Sequence, residues 1–183
     1  YSIAASPNEN GLLFVIKCYQ AGRASRWIEE VVDAGTTILI QGPFGRFFLD
    51  RETANLYLFV CTGTGIAPFR SHLKWALETE GDTRKMDLVF GVVRREDFFW
   101  IAWLQELEKK FPNLTVHVST LENDPDWHGE TGTVQERVQW IASDPENLSL
   151  YLCGAPDMVK EIKGTCISEL GIPKKNVHQE AYI

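Results

Sequence analysis

From Leu56 onward, apolar runs alternate with segments whose large side chains recur about every 3.6 residues. The runs are LYLFVCT from Leu56, MDLVFGV from Met86, LTVHVS from Leu114, LYLCG from Leu150 and VHQEAY from Val177. Between them the pattern predicts a helix running to about Glu80, one from Asp97 through EDFFWIAWLQELEKKF, one over TVQERVQWIA and one from Pro156. Strands and helices in strict alternation predict an α/β doubly wound sheet of five parallel strands, covered on both faces.

Residues 1–50 carry a different pattern. LLFVIKCY and TTILIQG read as short strands, SRWIEEVVDAG as one brief helix, and GPFGRFFL at 42–49 as a turn between strands. This is the signature of an antiparallel barrel, but too short to close on itself. The expected division is therefore residues 1–52 as a partial antiparallel β-barrel and residues 53–183 as the α/β domain.

The chain has 183 residues, 44% of them hydrophobic, enough for one substantial core. Its net charge of −7 is spread along the sequence, which argues against nucleic acid as a partner. No apolar run reaches the eighteen or so residues of a bilayer span and no signal-peptide pattern opens the chain, so a cytoplasmic location is expected. Cys18, Cys61, Cys153 and Cys166 are far apart with no CxxC pair. That spacing argues against a metal site, an iron–sulfur cluster or a disulfide framework, and any redox chemistry then needs an organic cofactor.

The chemistry concentrates in CTGTGIAPF, residues 61–69. A strand ends at about Thr62, Gly63 and Gly65 permit positive φ and close backbone approach, and Pro68 suits the first turn of a helix. Free amides and a helix N-terminus then face one point, an arrangement suited to a pyrophosphate at the first strand-to-helix turn of a doubly wound sheet. Plain tight connections also use GxG turns. LYLCGAPDM places Cys153 and Gly154 at the carboxyl end of another strand, where a free cysteine taken alone reads as a small buried hydrophobe. YSIAAS at the start and GRAS at 22–25 offer serines that, singly, read as caps or turn residues.

Taken in order, YS, GRAS, GPFG, GTGIAPF, CGAPDM and EAY resemble the ferredoxin–NADP reductase family, flavoenzymes that join a flavin-binding barrel to a nucleotide-binding sheet. The ordered set is more specific than any member. The resemblance covers essentially the whole chain and starts at the second half of the family's Arg-x-Tyr-Ser motif, from which a fragment of a longer reductase is expected.

The resemblance implies FAD, with FMN possible, and a nicotinamide dinucleotide. Tyr1 would pack on the isoalloxazine and Ser2 would hydrogen-bond near flavin N5. Ile16 and Lys17 would lie along the adenosine side of the flavin, and Gly22, Arg23, Ala24 and Ser25 would hold its pyrophosphate. Gly63, Thr64, Gly65 and Pro68 would hold the dinucleotide pyrophosphate, with Gly154 and Met158 lining the path of the dinucleotide. Cys153 and Glu180 would flank the nicotinamide, making Ser2, Cys153 and Glu180 the implied catalytic set, and Tyr182 would cover the other flavin face.

The implied function is hydride transfer between nicotinamide and flavin N5, followed by release of electrons to a separate carrier such as ferredoxin, flavodoxin or an oxygenase component. The alternative is a flavin-deficient nucleotide-binding module without turnover. NADPH-using relatives place a Ser-Arg pair after the third strand, with a lysine and a tyrosine downstream. Here Ser119 and Thr120 are followed by Glu122 and Asp124, and the downstream positions are Thr131 and Thr133. Repulsion between a 2′-phosphate and these carboxylates predicts a preference for NADH. Arg94 and Arg95 read as a solvated charge pair at a helix start that also borders this pocket.

Overall fold

In the computed structural model, which describes residues 1–51, 56–142 and 144–182, one sheet runs through the centre of the molecule. The expected boundary at 52/53 and the terminal Ile183 lie outside the described residues. The strands are β1 (Leu56–Thr62), β2 (Lys85–Val92), β3 (Leu114–Thr120), β4 (Glu130–Thr131), β5 (Leu148–Gly154) and β6 (Val177–Ala181). Every pairing is parallel and the spatial order is β4-β3-β2-β1-β5-β6. The sheet thus has six strands among the described residues, not five. The addition is β4, two residues paired with Ser119 and Thr120, too short to leave a periodic signal.

Alternation along each strand sorts side chains between two cores. Tyr57, Phe59, Cys61, Met86, Leu88, Phe90, Tyr151 and Cys153 face α2 (Ile66–Leu73) and α3 (Ile101–Lys110). Leu58, Val60, Val89, Leu150 and Leu152 face α4 (Val134–Ile141) and α5 (Pro156–Ser168). Burial on both faces explains why β1 and β5 read as continuous apolar runs. α2 widens into a π turn over Lys74–Thr79, close to the expected end at Glu80. The helix expected from Asp97 begins instead at Ile101, because Trp100 adopts a left-handed backbone (φ 61°) that breaks the turn between residues 95–97 and α3.

Residues 1–51 depart further from expectation. α1 (Arg23–Glu30) forms as predicted, but LLFVIKCY and TTILIQG form no strand, and 42–49 is no hairpin. One antiparallel bridge, Ile3 to Phe14, is the ladder found among these residues. A strand exists only where its amides and carbonyls find a partner strand, and here Leu39, Ile40 and Phe44 stand exposed.

Two parts of this segment are nevertheless tied to the sheet. Arg70 on α2 makes a bidentate pair with Glu9 (2.7 Å on both arms), donates to the Ala4 carbonyl at 2.8 Å and lies over the rings of Trp100 and Trp103. That pairing holds the Glu9 carboxyl down at about 2. Residues 47–51 cross the other end of the same face. Tyr57 donates its hydroxyl to the Asp50 carbonyl (2.8 Å), the Asp50 amide donates to the Tyr151 hydroxyl (2.6 Å), and Phe47 packs against Phe69 and Tyr151.

His72 fastens the same strap. Its Nε2 lies 3.1 Å from the Phe47 carbonyl, which can only accept, so the neutral ring carries its proton there. Burial pushes His72 from 6.5 down to about 4. The unfolded chain therefore takes up this proton first as pH falls. Stability is full above pH ~6.5, declines by up to about 1.4 kcal/mol per pH unit toward pH ~4 and levels off below it. His178, stacked on Tyr151 at 4.5 Å and also lowered by burial, adds in the same direction. Urea unfolding at pH 7 and pH 5 should show His72→Gln losing distinctly less stability than the parent; an equal loss would remove His72 from this account.

Candidate functional site

The strand order contains one reversal: from β1 the chain moves outward through β2 and β3 to β4, then returns to lay β5 on the opposite side of β1. The crevice beyond the carboxyl ends of β1 and β5 is therefore the topological switch point, the place where open parallel sheets bind ligands. The turn Gly63–Gly65 and the pair Cys153–Gly154 both lie there, in register through Cys61 and Cys153.

Glycine is required at this junction for two different reasons. Gly63 has φ +52°, and a side chain there would meet nothing within 4 Å, so the turn presents open space and bare backbone. Gly65 does not use positive φ as expected, since its φ is −62°. It is needed for close approach: a Cβ would overlap the carbonyl of Cys153. Gly154, at φ +138°, packs so near β1 that a Cβ would sit 2.6 Å from the Thr62 hydroxyl. That hydroxyl accepts the Ala155 amide at 3.3 Å and ties the head of α5 to the end of β1. Pro68 is buried inside the first turn of α2.

Four further expected residues converge on this edge. Glu180 pairs in register with Cys153, and its carboxylate accepts the Ser2 hydroxyl. The Tyr182 hydroxyl donates to Ser2 Oγ at 3.0 Å and lies 3.4 Å from the Thr64 carbonyl, while its amide donates to the Gly154 carbonyl at 3.0 Å. Residues 178 to 180 positions apart in sequence thus form a chain, Tyr182 to Ser2 to Glu180, at the tip of the sheet. Cys153 is fully buried in the core behind this edge, and that burial pushes its thiol up to about 12, so it is neutral at neutral pH and not a nucleophile. Tyr182 is raised as well, first by burial and then by the neighbouring Cys153. Tyr1, beside Ser2, holds its ring in solvent at 79% exposure.

Other expected residues lie apart from this cluster. Met158 is buried in the apolar core under α5. Ser25 is buried, and its hydroxyl accepts the Tyr19 amide at 2.9 Å, closing the turn that Gly22 begins. Around that turn Lys17 lies over the Tyr19 ring, with Arg23 and Ala24 exposed and Ile16 half-buried. Ser119 is buried on the α4 face, close to Gly91 and Val134. Beyond β2 and β3, Arg94 pairs with Asp97 and Glu96, and Arg95 with Asp124.

Sequence reasoning passed over Thr62 and His72 and gave Arg70 no role in holding the fold. Thr62 had a signal, a hydroxyl closing a strand before a glycine turn. Arg70 and His72 had none, because their partners Glu9 and Phe47 are distant in the chain.

Residues 59–164 match the family model described as an oxidoreductase NAD-binding domain. The ferredoxin–NAD(P)(+) reductase component of the naphthalene 1,2-dioxygenase/salicylate 5-hydroxylase systems of a Ralstonia species is 32% identical, the match covering all of this chain and 55% of that protein. Ferredoxin–NADP reductase B of Sorangium cellulosum is 29% identical, covering all of this chain and 77% of that protein. The chain spans about half the length of the dioxygenase-system reductase. A crystal structure of an Amycolatopsis cytochrome P450 reductase superposes with a TM-score of 0.87 at 22% identity, over 99% of this chain and 55% of that one, a likeness of fold.

The two glycines of the turn should respond differently to substitution. Gly65→Ala forces backbone apart and should cost about 3 kcal/mol or more in urea unfolding, whereas Gly63→Ala, strained only in φ, should cost about 1–2 kcal/mol. The reverse ranking would contradict the close approach of β1 and β5.

Proposed function

The chain belongs to the oxidoreductase NAD-binding domain family and is similar to ferredoxin–NAD(P) reductases, and from that premise we propose that it holds a nicotinamide dinucleotide across the carboxyl ends of β1 and β5 and supplies the nicotinamide half of a flavin-dependent NAD(P)H oxidoreductase. The observation that carries this reading is the meeting of Ser2, Glu180 and Tyr182 with the Thr64 turn at the switch point. A catalytic edge needs positioned polar groups where ring systems meet, and this edge has them.

The residues fit the dinucleotide. Gly63 leaves bare amides and open space for a pyrophosphate at the head of α2. For flavin the fit rests on Tyr1 and Ser2, an exposed ring beside a hydroxyl already oriented by Glu180. When bound, nicotinamide and flavin supply direct hydride transfer and the conversion of a two-electron donor into one-electron steps. The protein's share is positioning. Glu180 fixes the direction of the Ser2 hydroxyl, Cys153 backs the edge without charge, and the Tyr182 ring stands over the turn as a movable cover. FAD is the favoured flavin, NADH the favoured donor, and a separate ferredoxin, flavodoxin or oxygenase component the electron acceptor. Arg70 is committed to Glu9, and Arg51, at the opposite end of the strands, to Glu80, so the two form no joint docking patch for that carrier.

Three measurements test the reading on the purified chain. Denaturing it should release FAD, or addition of FAD followed by removal of unbound flavin should leave absorbance near 450 nm with the protein; dinucleotide binding without any flavin uptake would leave a nucleotide-binding module. With flavin present, Glu180→Gln should lower NADH-dependent ferricyanide reduction about tenfold or more while NAD⁺ affinity stays within about twofold; unchanged turnover would remove Glu180 from the site. The ratio of kcat/KM should favour NADH, and a strong NADPH preference would reverse that assignment.

A further inference from the structure

We propose that Asp124 sets the choice of dinucleotide by holding Arg95 away from the adenosine 2′ position, so that neutralising Asp124 converts a site for the 2′-hydroxyl into one for a 2′-phosphate. The inference rests on the dinucleotide reading above.

The direction of the dinucleotide follows from the sheet. The polar cluster around Ser2, Glu180 and Tyr182 lies on the β5–β6 side of the glycine turn. With the nicotinamide there and the pyrophosphate over Gly63–Gly65, the adenosine runs the other way, across the ends of β2 and β3. Strands lie about 4.8 Å apart, so the end of β3 is about 10 Å from β1, within reach of an extended nucleotide. The tail of the second strand is also where doubly wound folds place the acidic or basic group that reads the 2′ substituent.

The tails of β2 and β3 are knitted together at that place. The Leu121 and Glu122 amides donate to the Val93 carbonyl at 3.2 and 3.0 Å. Trp127 stacks on Phe98 at 5.3 Å, and its amide donates to the Asp124 carbonyl. This closure brings Arg95 against the loop after β3: its Nε lies 3.1 Å from the Asp124 carboxylate and its Nη1 donates to the Asp126 carbonyl at 3.1 Å. The other guanidiniums here are paired as well, Arg94 with Asp97 and Glu96 and Arg137 with Glu130. Among the described residues the adenosine end therefore presents guanidiniums already matched by carboxylates, and a dianionic phosphate meets repulsion where a hydroxyl meets hydrogen-bond partners.

The pair is only partly exposed, so the Asp124 carboxylate cancels the Arg95 charge that a phosphate would otherwise meet. Arg95 is 46% and Asp124 26% exposed, so Asp124→Asn removes the neutralising charge and frees one edge of the guanidinium, while the bond to the Asp126 carbonyl keeps the loop in place. Arg95, with its five donors, then has the geometry to take a phosphate bidentately.

Calorimetric titration of the whole chain with 5′-AMP and with 2′,5′-ADP tests this. The parent should bind 5′-AMP at least as well as 2′,5′-ADP. Asp124→Asn should strengthen 2′,5′-ADP binding about five- to tenfold with 5′-AMP within about twofold, and Arg95→Ala added to Asp124→Asn should abolish the gain. Tight 5′-AMP binding with no gain for 2′,5′-ADP, or a gain that survives loss of Arg95, would overturn the lock while leaving the dinucleotide site standing. Absence of binding by either nucleotide in every variant would overturn the dinucleotide reading itself, and the lock with it.

Discussion

The contact on which the rest of the molecule turns is backbone against backbone, where Gly65 meets the Cys153 carbonyl and Gly154 meets Thr62. The turn after β1 can press on the end of β5, and the end of β5 on Thr62, only because the approaching residues, Gly65 and Gly154, carry no side chains. Once the ends meet, the turn after β1 and the turn after β5 share one rim. Glu180 follows because it pairs with Cys153, and Tyr182 follows because its amide is bound to the Gly154 carbonyl. The edge proposed as the site is thus a consequence of main-chain proximity, with side chains hung upon it.

The electrostatics of that edge are arranged by burial and by pairing, with few free charges. Cys153 is held neutral by its surroundings, and the proton-bearing groups Tyr182 and Ser2 point in sequence toward the single carboxylate of Glu180. At the opposite end of the crevice the charges are numerous but cancelled in pairs. Such a division suits the proposed function, in which two flat rings are oriented in one place and a flexible nucleoside is gripped in another. The first task needs fixed geometry and low polarity; the second needs balanced charge.

The first fifty residues show the same physics from its other side. They carry strand-like composition, yet Leu39, Ile40 and Phe44 remain exposed and their backbone forms no ladder. What does attach them is specific and polar: Arg70 on Glu9, Tyr57 and Tyr151 on Asp50, His72 on Phe47. Each is a bridge between α2 or the sheet and a distant segment, and the hold of Arg70 on Ala4 and Glu9 anchors the stretch that begins with Ser2.

The sequence by itself determined what depends on neighbours in the chain. Continuous apolar runs of five to eight residues, glycines flanking a strand end and a proline opening a helix announced the parallel sheet, four of its covering helices and the turn at 63–65, because periodicity and φ preferences are local. Only the tertiary structure decided what depends on partners. It added β4, started α3 at Ile101 after the left-handed Trp100, left two predicted barrel strands unformed, and gave Gly65 the expected close approach without the expected positive φ. It also joined Ser2 to Glu180 and Arg95 to Asp124. A ladder, a close approach or an ion pair is a property of two segments at once, and no single stretch of chain carries the information for both.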